Sequence, residues 1–177
     1  MNLKTRPLLV AAGAGVGIHL VVTWLVPQLL LTALQRNLVA RSAVQLTWTL
    51  WLVNCLCGGL IDLALGALYA FLASCGEPLA GVDAAVGGSA TVVLARLVSG
   101  GLGLCVGVIV TPLLIQAQGR GISGNVMLQV LPLQILNSLV TLLVAVLLGV
   151  VLGAIGGAVA AAIRGRGSTQ PAGGGLL

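Results

Sequence analysis

The chain has 177 residues, of which 59% are hydrophobic and only 6% charged, and it carries a formal net charge of +5. About a quarter of the residues of an ordinary soluble domain are charged, so this composition excludes a water-soluble fold and leaves no stretch for a separate soluble domain. The eight basic residues stand mostly at the ends of apolar runs. There they suit anionic lipid headgroups, and nucleic acid is not an expected partner.

The first apolar run, Pro7–Leu34, follows a basic start at Lys4 and Arg6. It exceeds the ~20 residues a helix needs to cross a bilayer core. The basic start resembles a signal peptide. The run continues past Leu25, however, without a small-x-small cleavage site, and it reads as a retained first helix. It carries Gly13 and Gly17 four apart, a lone His19, and Pro27 near its end. Gln35–Ser42, with Arg36 and Arg41, closes it.

The second run is Gln45–Ser74. Trp48 and Trp51 at one end, and Tyr69 and Phe71 at the other, occupy positions suited to interface anchors. Gly58, Asp62, Gly66 and Ala70 share one helical row. Cys55 and Cys57 lie about 200° apart around a helix, so they do not face one ligand; with Cys75 and Cys105 they imply neither a zinc site nor a disulfide framework. A polar turn at Cys75–Asp83 follows.

The third run, Ala84–Gln116, has the row Ala95, Ser99, Gly103 and Gly107, the single mid-span base Arg96, and Pro112. Gln118–Asn125, with Arg120, leads to the fourth run, Met127–Ile163. Pro132 marks its expected first turn. The row Ala145, Gly149, Gly153, Gly157 and Ala161 runs along it. Residues 164–177 are Gly-rich and read as a flexible tail, which makes 1–163 a single transmembrane domain.

The expected fold is therefore all-α: a polytopic membrane bundle of four transmembrane helices. A faint repeat at an offset near 84 (Pro27 with Pro112, Arg36 with Arg120, Asn54 with Asn137) raises two tandem two-helix hairpins as an alternative to chance similarity. Four spans place both ends of the chain on one side. Lys4, Arg6, Arg164 and Arg166 there, against Arg36, Arg41 and Arg120 opposite, favour cytoplasmic ends of a cell-membrane protein.

Rows of small residues let membrane helices approach closely, which matters because lipid is as apolar as Leu and hydrophobicity cannot drive helix association. Two readings stand for these rows: packing within the chain's own bundle, or a fourth-helix ridge facing another copy or another subunit.

Asp62 is costly within a span, by at least ~2.5–3.5 kcal/mol on insertion scales, and needs a partner. The midpoint of residues 62 and 96 falls beside Pro78, so an antiparallel hairpin puts Asp62 and Arg96 at one depth. The first turn brings His19 to the same level. This polar layer reads as a structural ion pair with a hydrogen-bonded His, as a proton or ion path, or as a haem or chlorin site at His19, for which no second ligand is found. No other cofactor is expected. Pro27 and Pro112 each free a carbonyl four residues earlier, on Thr23 and Val108. Asn54 and Asn137 stand near those levels, able to satisfy them; alternatively the prolines sit where spans leave the core.

No phosphate loop, HExxH, GxSxG or paired-carboxylate arrangement is present. The expected function is that of a non-enzymatic membrane protein acting through helix packing, as an accessory subunit or a self-associating oligomer, with the bilayer and other membrane helices as partners. The alternative is a small transporter or channel component with a conduit at His19, Asp62 and Arg96.

Overall fold

The computed structural model describes residues 4–35, 43–75, 79–117 and 124–168. The chain forms four helices: α1 Thr5–Gln35, α2 Ala43–Ala73, α3 Gly81–Ala117 and α4 Gly124–Ser168. Each contains a window long and apolar enough to cross a membrane: Thr5–Val22, Leu52–Ala73, Gly81–Val106 and Ile135–Gly165. A helix is the element such a sequence must form in lipid, because it satisfies its own backbone groups without water.

Two boundaries differ from expectation. α4 starts at Gly124, so Pro132 lies inside the helix rather than in its first turn. A proline costs a helix one backbone hydrogen bond, and a helix of 45 residues keeps the rest. Arg164–Ser168 also belong to α4, not to a tail. Ala158 and Ala160–Ala162 are strong helix formers, and Arg164 is anchored on α2. Residues 169–177 lie outside the described residues.

α2 and α3 sit side by side. α1 packs against both from one flank and α4 against both from the other; among the described residues α1 and α4 do not touch. Consecutive helices pair as hairpins, but two equivalent hairpins related by a twofold axis would bring α4 onto α1 as α2 meets α3. That contact is missing, so the hairpins are not packed equivalently.

Glycines set the closest approaches. A Cβ added to Gly66 or to Gly88 would overlap the Gly153 carbonyl, one on Gly156 would meet the Leu63 carbonyl, and one on Gly157 the Ala84 carbonyl. Helix backbones at such range gain dispersion and Cα–H···O contacts. The α4 ridge of Gly149, Gly153 and Gly157 therefore faces α2 and α3 of its own chain, not another subunit.

The other rows hold only in part. On α1 the buried stripe is Ala11, Ala12, Gly15 and His19, whereas Gly13 and Gly17 are exposed with nothing within 4 Å of a Cβ. Two residues of offset is about 200° of rotation, which turns them away from the bundle. Gly103 also has nothing within 4 Å, and Ser99 donates to the Arg96 carbonyl of its own helix; Gly107 lies outside the described side chains. Here the cause is position along the helix rather than face. Every buried residue among the described side chains of α1 precedes or is His19. On α2 burial begins at Gly58, on α3 it ends at Ala95, and on α4 it begins at Gly149. Among the described side chains the core thus lies mostly at one end of the bundle, here called proximal, toward the end of α2 and the start of α3. It stops at the level of residues 19, 62 and 96. Distal of that level, toward the end of α1 and the start of α2, Gly58 is the one buried residue among the described side chains.

Tyr69 departs from its expected place at an interface. It is fully buried beside Ala11 and Ala73, and its ring occupies the space a side chain on Gly87 would need. Phe71 is exposed. Trp48 and Trp51 lie outside the described side chains.

Candidate functional site

The floor of the distal half is a polar layer to which all four helices contribute. α2 supplies Asp62, which follows Gly58 by one turn on the inward row. Oδ1 accepts a hydrogen bond from His19 Nε2 of α1 at 3.0 Å and from Arg96 Nε of α3 at 3.2 Å. Oδ2 accepts from Arg96 Nη2 at 2.8 Å and from Nε at 3.3 Å. A carboxylate only accepts, so beside Arg96 the His19 ring presents Nε2–H. The pair is a side-on, bidentate guanidinium–carboxylate fork, the strongest class of charged hydrogen bond. α4 closes the layer with Gly149, whose added Cβ would stand 3.0 Å from Asp62 Oδ2 and 2.7 Å from a Val92 methyl.

The three side chains differ in access. Those of His19 and Asp62 keep 3% and 2% of their surface, that of Arg96 keeps 19%. The guanidinium lies over Gly58, where a Cβ would be 2.6 Å from Nη2. Gly58 is thus small for a side chain rather than for a neighbouring backbone. Arg96 Nη1 donates to no described residue. The charges of Asp62 and Arg96 balance inside the layer, which is the condition for holding either in lipid.

The metal of a haem or chlorin bound through His19 Nε2 would have to displace the Asp62 bond from a buried position, so the residues present do not suit that group. Among the described residues no three His, Cys, Asp or Glu side chains converge as a metal site. Asn54 and Asn137 are exposed, and the Asn137 carbonyl accepts from Thr141 Oγ1 at 2.8 Å. Pro27 and Pro112, with Thr23 and Val108, lie outside the described side chains.

A second cluster caps the proximal end of α2. The last carbonyls of a helix lack partners and carry partial negative charge. Lys4 Nζ donates to the Ala73 carbonyl at 2.9 Å. Arg164 donates to the Phe71 carbonyl at 3.2 Å and to Ser74 Oγ, and its guanidinium stacks 3.9 Å from the Phe71 ring centroid. Lys4, just before α1, and Arg164 of α4 thereby fasten the first and fourth helices to the end of the second.

Sequence reasoning places Asp62, Arg96 and His19 at one level, and they meet there. It misses Gly149 as the roof of the carboxylate and Gly15 as the inward glycine of α1. The signal for Gly15 was available: counting back in fours from His19, which must face inward, reaches Gly15 and Ala11.

Four apolar helices of crossing length, packed around a charge-balanced layer, define a multi-pass integral membrane protein. Compared with known protein families, curated proteins and solved structures, the chain matches none.

Proposed function

We propose that this is a non-enzymatic membrane protein that works by helix association, as an accessory subunit or a self-associating oligomer. One observation carries the reading. Gly13 and Gly17 form a GxxxG ridge that faces outward, between the exposed Leu9, Val10, Ile18 and Val21, and is not used inside the bundle. Such a ridge in a span is a helix-docking surface. Gly13→Leu with Gly17→Leu, in the full chain, should leave thermal stability in detergent unchanged, because no neighbour occupies the added volume. It should abolish the larger mass of the gently extracted assembly. An unchanged assembly mass would overturn the reading.

A second reading, a small transporter or channel component, is favoured by the partial exposure of Arg96 in the charged layer. It predicts that Asp62→Asn abolishes solute flux into proteoliposomes at unchanged protein level. The first reading predicts loss of stability instead. The proximal end, with Lys4, Arg6 and Arg164, is assigned to the cytoplasmic face of the cell membrane. Cys75, exposed at that end, should react with an impermeant maleimide in inverted vesicles and not in intact cells.

A further inference from the structure

We propose that the outer edge of the Arg96 guanidinium is a binding point for an oxyanion, a carboxylate or phosphate group, approached from the distal end of the bundle. A guanidinium has five N–H donors arranged as forks. Arg96 spends one fork, Nε with Nη2, on Asp62. The end-on fork, Nη1 with the second Nη2 hydrogen, makes no bond to a described residue. It is not sealed off either, since the side chain keeps 19% of its surface while Asp62 and His19 are closed.

The surroundings favour an incoming group over a chance exposure. Gly58 exposes bare backbone beside the fork: a methyl there would stand 2.6 Å from Nη2 and 3.5 Å from Nη1. The proximal side of the layer is closed by Leu65, Val92 and Gly149, and on the distal side Gly58 is the one buried residue among the described side chains. Asp62 and His19 hold the guanidinium from behind, so the free fork is fixed in place before anything binds, and pre-organisation of this kind reduces the ordering cost of binding. Donors left without acceptors at this depth would otherwise be costly in lipid. The site is separate from the Gly13–Gly17 ridge, so it stands or falls without the association reading, and binding does not require flux.

The oxyanion could be a small solute or the headgroup of an acidic lipid, and two arms of one experiment separate these sources. The full chain is placed in nanodiscs of zwitterionic lipid and titrated with sodium formate, with sodium chloride at equal ionic strength as control. It is also placed in nanodiscs containing phosphatidylglycerol without formate. Thermal stability is read in both. A saturable rise with formate supports a solute site; a rise with the acidic lipid alone supports a lipid site. Arg96→Lys keeps the charge and a partner for Asp62 but loses the fork, and should weaken the response about tenfold or more. If that variant does not fold, Gly58→Ala, which puts a methyl against the fork, replaces it. No response of the wild type beyond chloride in either disc, or an equal response in the variant that folds, overturns the proposal.

Discussion

At the scale of single residues, the layer is governed by what happens when one partner is lost. Asp62→Ala leaves Arg96 without its counter-charge at a site where two of three side chains are closed to solvent. Breaking a buried pair in this way costs about 3–5 kcal/mol, whereas replacing both members with apolar residues is often neutral. We expect Asp62→Leu combined with Arg96→Leu to be more stable than Asp62→Ala alone in SDS-titrated mixed micelles. The opposite order would show that the pair itself, not the avoidance of a stranded charge, holds the bundle. Tyr69 presents the converse case. Its hydroxyl is buried and bonds to no described residue, and an unsatisfied buried group costs about 1–3 kcal/mol. Tyr69→Phe, which keeps the ring beside Gly87, should be neutral or raise the melting temperature by that measure.

At the scale of elements, α4 is held by carbonyl-to-glycine contacts that permit no side chain. Gly153→Leu should force α4 away from α2 and α3 and lower stability by several kcal/mol, on the order of a severe overpacking. The same change at Gly13 should do nothing to the fold, and circular dichroism melts of the two variants make the comparison. This contrast also marks how far the sequence could be read. The spans, the inward rows of α2 and α4 and the level of the charged layer follow from length, four-residue spacing and the placing of Asp62 and Arg96 about one turn. The inward face of α1 does not follow from spacing, because glycines at 13, 15 and 17 offer two rows on opposite sides; only His19 breaks the tie. In lipid both faces of a helix are apolar, so the contrast that reveals the core face in a soluble protein is absent. Periodicity also says nothing about how far along a helix its neighbours extend, which is why Gly103 sits on a plausible row with no neighbour within 4 Å of the place a side chain would take.

At the scale of the whole molecule, burial among the described side chains is concentrated at one end. Cys55 and Cys105 on the distal halves of α2 and α3 are exposed, whereas Ala70 and Ala95 on the proximal halves are buried. In mild detergent the two native thiols should react with a neutral maleimide without unfolding. A cysteine placed at Ala70 should react only as the bundle melts, and equal rates would contradict a core concentrated at the proximal end. The proximal clasp of Lys4 and Arg164 on α2 agrees with this polarity, since it ties the ends of the outer helices to the end of α2 beside the buried Ala73.

The pairing of Asp62 with Arg96 has a further consequence for biogenesis. The acid emerges from the ribosome 34 residues before the base, so the nascent α2 reaches the insertion machinery with a lone carboxylate, a burden of about 2.5–3.5 kcal/mol against partitioning at its centre. α3 meets the mirror-image difficulty with its arginine. Paired as a hairpin, the two would neutralise each other, so the energetics favour insertion of α2 together with α3 over insertion of one helix at a time.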